Sequence, residues 1–385
     1  MRQNARFADV QPIGLDVVAE AAGTDPDVLR MENLDTDVAP PPCAVDATTR
    51  ALASGEGNSW LPLTGLPVLR EAVAGELRTR TGLDYDPSRQ IVITSSGTSA
   101  VMPVLLATTE PGDHVALTDP TYAGLLQRVR LSGARPHFLP LRVDGGYWRL
   151  DRDALAGVTT AAALLLMSPS MPSGVLLDRD DWAAVAETCA RTGAYLIYDA
   201  AMERLVYDGH PQINPCRVDG LAERTITIGS VSKEYRMIGW RIGWIAGPAA
   251  LMERIKMAVI YNTTVASGFA QLGAAAALTD PSGAGVAAAT AEYRRRHDTV
   301  IEQLAGLPVV RAAGGWSCLV NAAALGLTAP ELSSRLLRYG RVAATPMTAW
   351  GGTIAPDHVR LVYSCEPVER LTDLRLRFDA ALTRE

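Results

Sequence analysis

A chain of 385 residues, 48% of them hydrophobic, can bury a large core and exceeds the usual size of one domain. Its net charge of −6 gives no basic footprint for nucleic acid or an anionic membrane, and its longest apolar runs, such as 161–167, are too short to span a bilayer. Five cysteines, Cys43, Cys189, Cys216, Cys318 and Cys365, are odd in number and show no C-x-x-C spacing, which argues against a disulfide framework or a metal site. The N-terminus lacks the apolar core of a signal peptide, so the expectation is a soluble, cytoplasmic protein. In chain order, short apolar runs stand at 91–94, 114–117, 135–139, 162–167, 194–198, 225–228 and 243–246, many of them separated by alanine-rich helical patterns such as 182–191. Continuous apolar strands alternating with helices predict an α/β protein whose mostly parallel sheet is covered on both faces. From about Gly285 an arginine-rich helix and then strand–helix–strand–helix predict a smaller α+β domain.

Two of the 36 cationic side chains are lysines, Lys233 and Lys256; the rest are arginines. A lysine kept against that bias points to chemistry arginine cannot perform, because its amine can lose a proton and condense with an aldehyde. Around it runs Ser230-Val231-Ser232-Lys233, and Arg241 follows within Gly239-Trp240-Arg241-Ile242-Gly243. Arginine grips phosphate bidentately, and flanking glycines let the backbone approach what it holds. Ser95-Ser96-Gly97-Thr98 opens a helix after the 91–94 run and could present free N–H groups to an anion, although a simple serine N-cap explains the motif as well. Asp199 closes the 194–198 strand, where a carboxylate points into the ligand crevice unless it caps a helix.

On S-x-S-K with G-W-R-I-G in register, the chain resembles the pyridoxal-phosphate (PLP) enzymes of the aspartate-aminotransferase fold type, class I/II, from about Leu29 to Leu382. The resemblance implies a seven-stranded-type sheet sandwiched by helices over 46–284, a small domain from 1–45 plus 285–385, and a homodimer with shared active sites. It implies that Lys233 is the Schiff-base lysine, that Ser96, Gly97, Thr98, Ser230 and Arg241 hold the cofactor phosphate, and that Ser232 binds the cofactor beside them. By the same token Asp199 keeps the pyridine nitrogen protonated, Tyr122 stacks on the ring, and Arg360 clamps the substrate carboxylate. Trp60 stands where the family often has a tyrosine that reaches across the dimer interface.

The chain departs from the family in two places. Ser168-Pro-Ser-Met171-Pro-Ser-Gly174 replaces the usual N-P-x-N-P-T-G, and Met202 stands where a tyrosine is common. Both usual donors to the cofactor's phenolic oxygen are therefore replaced by Met171 and Met202, which is expected to raise the imine pKa unless Ser170 or water supplies the bond. Around Leu34 and Asp35, where many relatives have a glycine, lies the acidic run 32–37, suited to a polar substrate group or simply to solvent. The leading expectation is an aminotransferase acting on a small-molecule amino acid or conjugate. The runner-up is a PLP-dependent lyase or decarboxylating oxidative deaminase of secondary metabolism. A PLP-binding regulator ranks third, since no room for a helix-turn-helix domain stands before Leu29.

Overall fold

The apolar runs form the spine of the protein in this computed structural model, which describes residues 5–282 and 284–383. Strands β1 (Ile91–Thr94), β2 (His114–Asp119), β3 (Arg135–Asp144), β4 (Tyr147–Leu150), β5 (Ala163–Met167), β6 (Tyr195–Asp199), β7 (Thr225–Ser230) and β8 (Gly243–Ala246) make one sheet in the order β1-β8-β7-β6-β5-β2-β3-β4. Only β8 and β4 run against the others. The expected seven strands become eight. Gly145 and Gly146, with φ of 57° and 81°, turn β3 back on itself to add β4.

Both faces of the sheet are buried, which is why its strands are apolar throughout rather than alternating. Leu164, Leu166, Leu196 and Tyr198 pack on one face with Trp182 and Val185 of helix Arg179–Thr192. Leu165, Ile197, Ile226 and Ile245 pack on the other with Val101 and Val104 of helix Gly97–Thr108 and Met252 of helix Ala249–Thr263. Helix Arg179–Thr192 is started by a capping box between Asp178 and Asp181 and stopped by left-handed Gly193.

The C-terminal part begins with helix Ala284–Gln303 and then builds a second, antiparallel sheet from β9 (Val309–Val310), β10 (Ser317–Asn321), β11 (Thr345–Pro346) and β12 (His358–Val362), in the order β9-β10-β12-β11. Helix Ala329–Gly340 covers it. The two-residue strand Leu29–Arg30 pairs in parallel with Val342–Ala343, which ties the N-terminal segment to this part. The carboxyl ends of β1, β2, β5, β6 and β7 open onto a cavity, the crevice position expected of an open parallel sheet. Among the described residues no helix is long and apolar enough to cross a membrane.

Candidate active site

One end of the cavity is built to receive an anion. Gly97 and Thr98 line it at the first turn of helix Gly97–Thr108, where backbone N–H groups lack helical partners. Ser96 does not line the cavity. It is the N-cap, with φ of 141° and its Oγ accepting from Ser99 N–H at 3.0 Å. Ser230 Oγ, at the end of β7, lies 2.9 Å from Ser232 Oγ and accepts from Ser232 N–H at 3.0 Å. Arg241, in the left-handed region at φ 56°, places Nη1 2.6 Å from the Ile238 carbonyl and 3.4 Å from Ser232 Oγ. These segments meet backbone to backbone: a Cβ on Gly243 would stand 2.4 Å from Gly97 N. Three hydroxyls, a helix N-terminus and a guanidinium form a donor set that fits a phosphate.

Lys233 projects into the middle of the cavity. Its Nζ donates to the Leu34 carbonyl at 2.8 Å and stands 4.4 Å over the Trp316 ring. Burial, seconded by Arg360 and Arg241 and opposed by Asp35 and Asp199, brings the amine down to about 7. A large share of it is then neutral and nucleophilic at neutral pH. Asp199, 8% exposed at the end of β6, accepts from Ala201 N–H at 3.0 Å. Burial pushes its carboxyl up to about 6, against the Ala201 hydrogen bond and the Lys233 charge. Above that value it is a carboxylate, able to accept from a protonated ring nitrogen.

Arg360, on β12, is fully buried and stands behind the cavity wall rather than in it. Its guanidinium lies 4.4 Å from the Trp350 ring, and Nη2 donates to the Glu32 carbonyl and to Thr345 Oγ1. Nε and Nη1 have no hydrogen-bond partner. Burial pulls the group down to about 9, which leaves it charged at neutral pH. A buried cation with two unused donors is half of a carboxylate-binding pair.

Tyr122 lines the cavity with its ring edge against Trp350 at 5.6 Å, a fold-over that Gly124 permits, since a Cβ there would stand 2.5 Å from the tyrosine ring. Met171 and Met202 both line the cavity, 4% and 1% exposed. Leu34 lines it too, whereas Asp35 is exposed and acts on Lys233 only through its charge. Trp60 stands 81% exposed, outside this chain's cavity. Sequence reasoning missed Met167, Ala201 and Ile238 in the wall and Trp316 beneath the lysine. Met167 and Ala201 flank strand ends that were already marked, a usable signal; nothing local marks Trp316.

A family model described as aminotransferase class I and II matches residues 28–374. The chain belongs to this family. Among its relatives, the probable N-succinyldiaminopimelate aminotransferase DapC of Mycobacterium tuberculosis is 35% identical over 315 residues, covering 80% of this chain and 79% of that protein. The arginine–pyruvate transaminase AruH of Pseudomonas aeruginosa is 33% identical, with 89% and 87% covered. The solved N-succinyldiaminopimelate aminotransferase from M. tuberculosis superposes with a TM-score of 0.91 at 30% identity, covering 99% of this chain and all of that one (100%). Class I and II aminotransferases depend on PLP, and the residues here fit it: phosphate donors at one end, a carboxylate for the ring nitrogen, and an amine for the aldehyde carbon between them. The protein is thus a PLP-dependent aminotransferase, and the lyase and decarboxylase alternatives draw no support from these relatives.

Proposed function

We propose that the enzyme moves the amino group of an α-amino acid to a 2-oxo acid, with Arg360 holding the substrate carboxylate. When bound, PLP supplies an aldehyde that condenses with amines and a ring that draws electrons from the bonds at Cα. Gly97, Thr98, Ser230, Ser232 and Arg241 would anchor its phosphate, Asp199 its ring nitrogen, and Tyr122 one face. With PLP bound, Lys233 Nζ would serve as the base that takes the Cα proton and as the acid that gives it back. The Lys233 amine, lining one cavity with Asp199 and with Thr98, Ser230 and Arg241, is the observation that carries this reading. Arg360 orients the substrate so that the Cα–H bond faces Nζ.

The proposed substrate class is free α-amino acids, since the buried Arg360 guanidinium, with Nε and Nη1 unpartnered, lacks the anion that a substrate carboxylate would supply. We further propose a cytoplasmic homodimer in which Trp60 reaches the partner's site; its 81% exposure in the single chain supports this. The division into 46–284 and 1–45 with 285–385 is proposed on the same footing, supported by the pairing of Leu29 with Val342.

A single turnover without any oxo-acid acceptor tests the chemistry. Stoichiometric pyridoxamine phosphate and one equivalent of 2-oxo acid are expected from a panel of amino acids. Continued release of thiol, pyruvate or CO₂ with PLP retained would instead show a lyase or an oxidative enzyme.

A further inference from the structure

One wall of the cavity has no role in the reading above. PLP carries its aldehyde on a ring carbon flanked by the phosphate arm on one side and a ring hydroxyl on the other, with the ring nitrogen opposite. Anchoring the phosphate at Thr98, Ser230 and Arg241, the nitrogen at Asp199 and the aldehyde carbon at Lys233 turns the hydroxyl toward the wall that is left. The lining residues left are Leu34, Met167, Met171, Ala201, Met202 and Ile238, none with a polar hydrogen on its side chain, and Met167, Met171 and Met202 are the long side chains at the ends of the strand and turns beside Asp199.

A thioether has no hydrogen to donate. Most nearby polar hydrogens are engaged elsewhere; Trp316 Nε1 has no partner, but Trp316 presents its ring face, not its N–H, to Lys233 Nζ at 4.4 Å. Met171 N–H points at Met167 Sδ at 3.3 Å, and Ser170 Oγ donates to the Met171 carbonyl at 3.3 Å. Ser317 Oγ donates to the Pro172 carbonyl at 2.9 Å, and the Tyr207 hydroxyl donates to the Gly315 carbonyl.

We propose that the Met171–Met202 wall offers the cofactor's ring hydroxyl no side-chain hydrogen-bond donor among the described residues, so that the Lys233 nitrogen is its hydrogen-bond partner and these two methionines set how firmly that nitrogen keeps its proton. The proposal rests on the placement of PLP given above. An oxygen without another donor concentrates its negative charge and holds the shared proton on the Lys233 nitrogen to higher pH. The charged groups that act on this nitrogen are Arg360 and Arg241, which favour loss of the proton, and Asp35 and Asp199, which favour its retention. Tyr122 faces the same cavity as a phenol that burial keeps neutral. None of these groups is touched by changing the methionines.

The test is a pH titration of the visible absorption of the purified, PLP-loaded protein, with no substrate present. Met202→Tyr and Met171→Asn each restore a donor and are expected to lower the midpoint, the double variant by about one pH unit or more. Met202→Leu, which keeps the wall apolar, is expected to leave the midpoint where it is. An unchanged midpoint in both donor variants, or a Met202→Leu shift as large as that of Met202→Tyr, overturns the proposal. If the double variant does not fold, the two single variants carry the test. A wild-type protein with no visible band would overturn the cofactor placement itself, a failure distinct from an unmoved midpoint.

Discussion

Lys233 and Arg360 are both cations by composition, yet burial acts on them differently. The lysine comes down to about 7, so that a large share of it is free of its charge at neutral pH, while the arginine at about 9 stays charged, as the proposed reagent and clamp require. The neutral amine is the reactive form, so covalent attachment of PLP to the cofactor-free protein should speed up as pH rises through about 7 and then level off. Borohydride trapping at a series of pH values reads this directly; a rate still climbing steeply near pH 10 would place the amine at its ordinary value. Arg360→Lys keeps the charge and loses the fork. A drop of about 10- to 100-fold in kcat/KM for amino acids is expected, with the absorption of the bound cofactor unchanged. An unaltered kcat/KM would remove Arg360 from substrate binding.

At the scale of elements, the site depends on contacts too close for side chains. Gly243→Ala sets a methyl 2.4 Å from Gly97 N, so the first turn of helix Gly97–Thr108 must move away from β8. Overpacking of this kind costs about 1–3 kcal/mol, and PLP affinity measured by absorption titration should fall by roughly tenfold or more. Behind the site, Arg80 of helix Pro67–Thr81 joins Glu76, Glu203 and Glu234 at 2.6, 2.9 and 2.8 Å. Glu203 follows Met202 and Glu234 follows Lys233, so one buried cation fixes both active-site segments. Arg80→Met leaves Glu76 and Glu234 to share Arg204 as their cation and Glu203 with the Asn214 amide but no cation among the described residues, and should cost about 3–5 kcal/mol in chemical denaturation. Burial alone would raise the Glu234 carboxyl, but Arg80 and Arg204 outweigh it and hold it below its ordinary 4.5. Its stabilising contribution is therefore present above about 4.5 and lost as pH falls below that value, so the gap between wild type and Arg80→Met should narrow in acid.

For the whole molecule, Trp60 and Tyr261, 81% and 90% exposed, and Phe269 at 37%, are large apolar groups for a single chain to leave open. Sedimentation is expected to give a dimer, and Trp60→Ala is expected to weaken PLP binding although Trp60 is absent from its own chain's cavity. A monomer that retains full PLP affinity would refute the shared site. What the sequence by itself determined was the chemistry of single positions and the local backbone. A rare lysine carries an amine that can become a nucleophile, seven apolar runs were strands because both sheet faces needed covering, and Asp199 stood at a strand's end that could face a crevice. Even the eighth strand had its signal in the Gly145-Gly146 turn. Only the tertiary structure decided how reactive those groups are. The depressed Lys233 amine is a through-space sum of burial and distant charges, and its hydrogen-bond acceptor, Leu34, lies 199 residues away. The unpaired donors of Arg360 likewise exist only because Glu32, Thr345 and Trp350 enclose it. Desolvation adds over neighbours in space, and a sequence orders its neighbours along the chain.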